Sequence, residues 1–278
     1  MNSNENWGSD MKRVHALEVE DLSWFPTWLR TCLTNNLVVF ARLLGVNAVL
    51  GQLVVDALKE AKLTKIIDLG SGSGGPLPEI HKTISGQKGL EHIKLELSDK
   101  YPNPKAIAFF NQSTDTNIHY REQPVDATQL GTVGPGLKTM VNCFHHMRPP
   151  QARAILKSAV ENKEPILIYE MGGHVTLPLP LWLLGLPIGF TFVFIIGMIT
   201  SALVRPFTWK HLMFTYVLPV IPFFFAWDGQ ASMARLYRDA DLDELLSGLE
   251  SSDYNWEKGY GRVKRGSRLG TYLLGLPK

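Results

Sequence analysis

Apolar positions recur at helical spacing over residues 16–62. Leu29, Cys32 and Leu33 share one face of this stretch, as do Leu50, Leu53, Val54 and Leu58. Pro26 suits the first position of a helix, where its missing N–H costs nothing. From residue 65 the pattern changes to short apolar runs alternating with amphipathic segments. Strands are predicted at Lys65–Leu69, Ile93–Ser98, Asn117–Glu122, Thr139–Asn142 and Pro165–Glu170. Helices are predicted between them, around Pro76–Ser85, Pro104–Phe110 and Pro150–Asn162. Such alternation implies an α/β fold, with a largely parallel sheet and helices on both faces.

After Met171 the pattern changes again. No Asp, Glu, Lys or Arg occurs from there to Val204. A second apolar run, Leu212–Trp227, follows the basic break Arg205–His211, and charge returns at Asp228. Asp239–Leu249 reads as a helix. Tyr254–Val263 and Leu269–Leu276 read as two last strands joined by a basic stretch, Arg262–Arg268. Ile188–Val204 alone is slightly short for a bilayer core of about 30 Å, and starting at Leu181 makes it long enough but includes Pro187. Trp182, Trp209, Tyr216 and Trp227 sit near the ends and breaks of these runs, where interfacial aromatics belong. Three readings compete: a membrane-inserted hairpin, a monotopic patch lying on the membrane, and a buried cap over a substrate pocket. A domain of this size has little spare core for so many large apolar side chains, which favours the membrane. Arg205, Lys210 and His211 count against a translocated loop and favour a re-entrant or monotopic element on the cytoplasmic side.

Composition narrows the class. The chain has 278 residues, 45% of them hydrophobic and 19% charged, so a substantial core is expected. Its net charge of +2 is too small to point to general nucleic-acid binding. Cys32 and Cys143 are the only cysteines, which fits a reducing compartment. The first ten residues are polar, are expected to be loose, and carry no secretory signal pattern.

The candidate chemistry begins at Lys65–Ile80, where a predicted strand runs into a glycine cluster and then a helix. Gly70-Ser-Gly72-Ser-Gly-Gly75 fits the dinucleotide pattern G-x-G-x-x-G, and Asp68-Leu-Gly70-Ser71-Gly72-Ser-Gly74 fits acidic-x-G-x-G-x-G. Asp68 at the strand end would repel a pyrophosphate and suits a ligand with an ammonium group. Pro76 removes an N–H that a phosphate would use. Asp99, at the end of the second strand, can accept both ribose hydroxyls, a feature that NAD-binding proteins share.

Asp68–Gly74, Asp99, Val125-Asp-Ala127 and Asn142-Cys-Phe-His-His146 together resemble the successive motifs of class I S-adenosylmethionine-dependent methyltransferases. The resemblance covers roughly residues 60–172 and returns weakly in the last two strands. It implies a Rossmann-like, seven-stranded sheet whose final strand is antiparallel, with S-adenosylmethionine bound across the carboxyl ends of the first strands. On that resemblance Gly70, Ser71, Gly72 and Gly74 lie against the methionine and ribose part, and Asp68 orients the methionine amine, directly or through water. Asp99 holds the ribose hydroxyls and Tyr101 stacks on the adenine. Asp126 and the Ala127 N–H read the adenine edge, while Asn142 and Phe144 lie near the sulfonium.

Methyl transfer needs positioning and, for a hydroxyl, amine or carbon acid, a base. His145 and His146 are candidates because neutral imidazole accepts a proton near pH 7, though paired histidines there also serve as loop-stabilising residues. Glu170 is read three ways: a base, a binder of a cationic substrate, or a carboxylate satisfied by a helix N-terminus. No metal is expected, since a site would need three converging ligands. Trp24, Phe25 and Trp28 are candidates for a lid over the substrate, or for anchors of their helix.

The organisation expected is a helical lid over 1–62, a cofactor-binding domain over 63–173 and 228–278, and an apolar insertion over 174–227. The function expected is methyl transfer to a small lipophilic acceptor, with membrane lipids as partners; basic Arg262, Lys264, Arg265 and Arg268 either meet anionic headgroups or form a solvated hairpin, the default for such a run. Two alternatives stand beside it: a non-catalytic cofactor-binding assembly factor at a membrane, and an NAD-dependent oxidoreductase.

Overall fold

A computed structural model describes residues 11, 13–172, 179–263 and 266–278. The first ten residues, expected to be loose, lie outside these, as do Lys264 and Arg265 of the basic stretch. The chain divides into two compact units. A sheet unit comprises Met1–Arg13, Asn47–Gly173 and Tyr237–Lys278; an apolar unit comprises Val14–Val46 and His174–Leu236.

Seven strands build the sheet: β1 (Lys65–Leu69), β2 (Lys94–Ser98), β3 (Ile118–Tyr120), β4 (Leu137–Val141), β5 (Ile166–Glu170), β6 (Tyr254–Arg262) and β7 (Arg268–Pro277). Their order is β3-β2-β1-β4-β5-β7-β6. β1 to β5 run parallel, and β7 is antiparallel to both β5 and β6. The central strands are short and apolar on both faces, as a strand covered on both sides must be: Ile66, Ile67, Leu69, Leu95 and Leu97 are all buried. The unit's helices in chain order are α2 (Val46–Glu60), α3 (Leu77–Ser85), α4 (Pro104–Asn111), α5 (Pro149–Glu161) and α9 (Asp239–Leu246). One core cluster joins Ile67, Met140 and Ile168 of the sheet to Ile155 of α5 and Leu245 of α9.

The apolar unit holds α1 (Thr27–Leu44), α6 (Leu179–Leu203), a short α7 (Trp209–Leu212) and α8 (Val220–Arg235). The helical stretch expected over 16–62 is broken at Gly45. That residue takes φ +84°, and its N–H caps the carbonyls of Ala41 and Arg42, the usual stop at which a helix ends in the left-handed region. α6 is unbroken across Pro187. The second apolar run is not one helix. A π turn over Met213–Val217 leads to Pro219, and the two segments meet at 76°. α8 then continues through Asp228 to Arg235, so the apolar segment ends nine residues later than the sequence placed it. Asp228 is accommodated by accepting the N–H groups of Val19 and Glu20 at 2.7 and 3.2 Å, and buried Arg235 pairs with Asp21 at 2.6 Å.

Candidate functional site

The glycine loop leaves β1 at Leu69 and enters α3 after Pro76. Gly70, Gly72 and Gly74 have φ of +78°, +53° and +117°, a region that side-chain-bearing residues avoid. They differ in what surrounds them. A Cβ on Gly72 would meet nothing within 4 Å, so this part of the backbone is open. On Gly74 it would lie 2.8 Å from the Phe110 ring of α4. Gly74 therefore allows close packing against α4.

A hydrogen-bond lattice fixes the loop. Asp68 is buried; its Oδ2 accepts from Ser71 Oγ at 2.6 Å and its Oδ1 from Thr139 Oγ1 at 2.8 Å. The parallel register places Thr139 of β4 beside Asp68 of β1. Ser98 Oγ donates to the Asp68 carbonyl at 2.7 Å, and the Ser98 N–H donates to Ser71 Oγ at 3.1 Å. Ser71 is thus a strut between two strand ends, with its hydroxyl engaged inside the loop. Burial pushes the Asp68 carboxyl up to about 7, against the opposing pull of the Ser71 and Thr139 hydroxyls.

Asp99 closes the loop from the β2 side. Its Oδ2 accepts the Gly72 N–H at 2.8 Å and its Oδ1 the Tyr101 N–H at 2.7 Å. Tyr120 of β3 braces the same residue, donating to the Gly72 carbonyl at 2.9 Å. The Tyr101 ring stands 80% exposed beside this carboxylate. Asp126 is less open than expected. Its Oδ1 accepts the N–H and hydroxyl of Thr128 at 2.9 and 2.7 Å, and Lys100 lies 3.0 Å from Oδ2. These partners hold its carboxyl below the usual range, the Thr128 hydroxyl first. Ala127 packs against the core cluster.

At the end of β4, Asn142 takes φ +52°, and its Oδ1 accepts the Met171 N–H at 2.7 Å. Its buried Nδ2 has no hydrogen-bond partner among the described residues. Phe144, expected near the sulfonium, is instead 1% exposed, with its ring 5.2 Å from that of Tyr237 in the core. The side chain beside the loop is Cys143: its Sγ would lie 3.2 Å from a Cβ on Gly70, and it donates to the Leu69 carbonyl at 3.3 Å. Burial first, then Asp68, Glu170 and Asp99, keep its thiol protonated.

His145 and Glu170 form a pair. Glu170 Oε2 lies 2.8 Å from His145 Nδ1, and Oε1 accepts the His145 N–H at 3.0 Å. Both residues are buried. Of the three readings of Glu170, the geometry matches the third in form: the carboxylate is satisfied at the start of a 3-10 turn, Phe144–His146. It is not a free base. The His146 ring lies 4.4 Å from that of His145. Arg13, which no sequence signal singled out, holds this turn: its guanidinium donates to the carbonyls of His145 (2.6 Å) and Met147 (3.1 Å) and to Tyr237 Oη (2.9 Å).

The expected lid aromatics have another partner. Phe25 is 3% exposed in a cluster with Ile221 and Phe225, and the Trp28 ring lies 4.8 Å from that of Phe214. Both anchor α1 within the apolar unit, because apolar rings gain more from that cluster than from solvent. Trp24 remains 69% exposed. A depression of about 550 Å³ between Thr128–Thr132 and α5 contains none of the predicted site residues, so the loop geometry defines the candidate site.

The strand order with its antiparallel β7, the glycine loop after β1 and acidic residues after β2 and β3 now stand together. The chain has the class I methyltransferase fold. No family model matches the sequence, and no curated protein does. Among solved structures, the methyltransferase domain of bacterial CtHen1 is similar at 12% identity, covering 83% of this chain and 98% of its own, with a TM-score of 0.45. Human N-acetylserotonin methyltransferase in complex with SAM is similar at 14% identity over 82% of this chain and 51% of its own, TM-score 0.42. Magnesium protoporphyrin IX methyltransferase from Synechocystis PCC 6803 matches at 10% identity over 84% and 81%, TM-score 0.42. These likenesses are distant; the fold assignment rests on the strand order.

Proposed function

We propose that this chain is an S-adenosylmethionine-dependent methyltransferase acting on a small lipophilic acceptor, membrane-associated with its sheet unit on the cytoplasmic side. One observation carries the cofactor reading: a backbone-open glycine loop tied through Gly72 to Asp99, above a buried carboxylate at the tip of β1. Such a loop offers no cluster of donors to a pyrophosphate, and Pro76 removes one more. It suits a ligand that brings its own positive charge. Asp68 would meet the ammonium group, Asp99 the ribose hydroxyls and Tyr101 the adenine face. When bound, that cofactor supplies an activated methyl group on a sulfonium.

The chain's own contribution is positioning and proton handling. A carboxylate only accepts, so Glu170 holds His145 with the proton on Nδ1, which makes Nε2 the proton acceptor. His145 is the base in this reading, and Glu170 is its positioning partner. The lipophilic acceptor is supported by the exposed apolar surface of the second unit, where Ile188, Leu184 and Phe192 are 76%, 75% and 65% exposed. This favours lipid contact over the buried cap.

The test is twofold. Calorimetry should show binding of S-adenosylmethionine and S-adenosylhomocysteine but not of NADH. Incubation of a membrane lipid extract with protein and labelled cofactor should then yield one lipid-soluble product heavier by a single methyl. Glu170→Gln should cut kcat by at least about tenfold and alter its pH profile, with KM for the cofactor little changed. NADH binding in place of the sulfonium ligand would refute the reading.

A further inference from the structure

The apolar unit exposes an unusual amount of apolar surface. Beside its core of Phe25, Leu29, Leu33, Ile221 and Phe225 it also buries Asn36, Thr200, Ser201, His211 and Thr215, while many large aliphatic side chains of α6 point outward. Asn36 Nδ2 donates to Ser201 Oγ at 2.9 Å, joining α1 to α6. Along α6 the exposed residues Leu184, Ile188, Phe192, Ile195, Ile199 and Leu203 repeat at intervals of three and four, a single stripe over its length. Gly189 and Gly197 face α8. A Cβ on Gly189 would meet Gln230 at 2.7 Å, and one on Gly197 would meet the Pro222 backbone at 3.1 Å. Close helix packing through small residues, with bulk turned outward, is how helices pack in lipid.

We propose that this stripe is a docking surface for the acyl chains of a lipid bilayer, and that the unit enters one leaflet without crossing. The composition is ill suited to a water-facing surface. Pro180–Leu203 is a 24-residue helix of mean hydropathy 2.2, with only 11% of its most apolar window buried. Over residues 171–227 there is no acidic residue, and the only formal cations are Arg205 and Lys210. Each has a local partner, although Arg205 is exposed. The Arg205 guanidinium donates to the carbonyls of Ala202 and Val204 at 2.9 and 2.8 Å, and the Lys210 ammonium stands 5.0 Å above the Trp28 ring. A second copy of the chain is a poorer occupant, because the small residues that let two helices approach closely are already used inside the unit.

The single-leaflet mode follows from the return arm. α8 runs antiparallel to α6, since Gly189 meets Gln230 and Gly197 meets Pro222. The chain leaves and re-enters the sheet unit through these two arms, so a crossing by one requires a crossing by both. The return arm is bent by 76°, and its second half carries Asp228 and Arg235 with their partners on residues 18–21. Taking those charges through hydrocarbon is prohibitive.

This inference rests on the membrane part of the function proposed above. Its test needs no cofactor, so either can fail alone. Full-length protein mixed with vesicles of phosphatidylcholine should float with them in a density gradient. The double variant Ile188→Glu, Ile195→Glu alters only exposed positions. It should stay in the dense fraction with its thermal transition and S-adenosylhomocysteine heat unchanged. A wild-type protein that stays dense as a stable oligomer, or a double variant that floats equally well, would overturn the docking surface. The second arm uses Phe207→Cys at the turn between the arms. A membrane-impermeant maleimide trapped in the vesicle lumen should not label it; labelling from the lumen alone would overturn the single-leaflet mode.

Discussion

Ile67 in β1 and Ile188 in α6 are the same residue type in opposite situations. The first is 0% exposed among core partners of the sheet, and the second is 76% exposed. The contrast extends to their elements: β1 and β2 keep their large aliphatics buried, whereas α6 leaves Leu184, Ile188 and Phe192 exposed and covers Ser201, which pairs with Asn36 of α1. An interior takes whatever the surrounding medium receives less well. Water drives Ile67 inward, whereas an outward Ile188 gains nothing from water and would gain from hydrocarbon, the medium proposed above.

Truncation separates the two situations most strongly. Ile67→Ala should destabilise the sheet unit by about 2–5 kcal/mol in denaturant titration, since it opens a cavity in a packed core. Ile188→Ala should change stability in detergent by less than about 0.5 kcal/mol. Equal costs at both sites would mean that α6 is covered by protein. Gly74→Ala should cost about 2–3 kcal/mol from the φ of +117° and the clash with Phe110. Adding Phe110→Leu should recover part of that loss; no recovery would show that backbone strain alone is responsible.

Asp68 gives a smaller, pH-dependent effect. Its folded-state carboxyl is raised to about 7 by burial, so the folded chain holds that proton more tightly than the unfolded one. Its contribution to stability is fully present at acidic pH and is lost as pH rises toward 7. Thermal unfolding of ligand-free protein should show this component, and Asp68→Asn should remove it. A cationic ligand prefers the ionised carboxylate, so affinity for S-adenosylmethionine should rise with pH by up to about tenfold per unit below 7. A flat affinity profile would detach Asp68 from the ammonium group.

The sheet was legible in the sequence because each strand is a short apolar run bounded by turn residues. Lys65–Leu69 and Tyr254–Arg262 fall within a residue of expectation. The glycine loop and the place of Asp99 at the end of β2 were legible for the same local reason; the hydrogen bond from Gly72 to Asp99 was not. The contributions of Arg13, Thr139, Tyr120 and Cys143 were not, because each depends on long-range packing: Arg13 reaches His145 and Met147, more than 130 positions away in the chain. The burial of Phe144 and the packing of Phe110 against Gly74 were not legible, because a motif position fixes the backbone but not which way a neighbouring side chain packs. What the N-terminal aromatics would anchor to was not legible, because nothing local states that α1 packs with α6 and α8.

The central claim is that the glycine loop, held by Asp99 over Asp68, is the seat of a sulfonium cofactor. Isothermal titration of the folded, full-length protein with S-adenosylmethionine and S-adenosylhomocysteine addresses it directly. The account predicts binding of both, weakened by about 1–3 kcal/mol in Asp99→Ala, whose loss removes charge-assisted hydrogen bonds. Absence of heat with either ligand, or equal affinity in the variant, would contradict it.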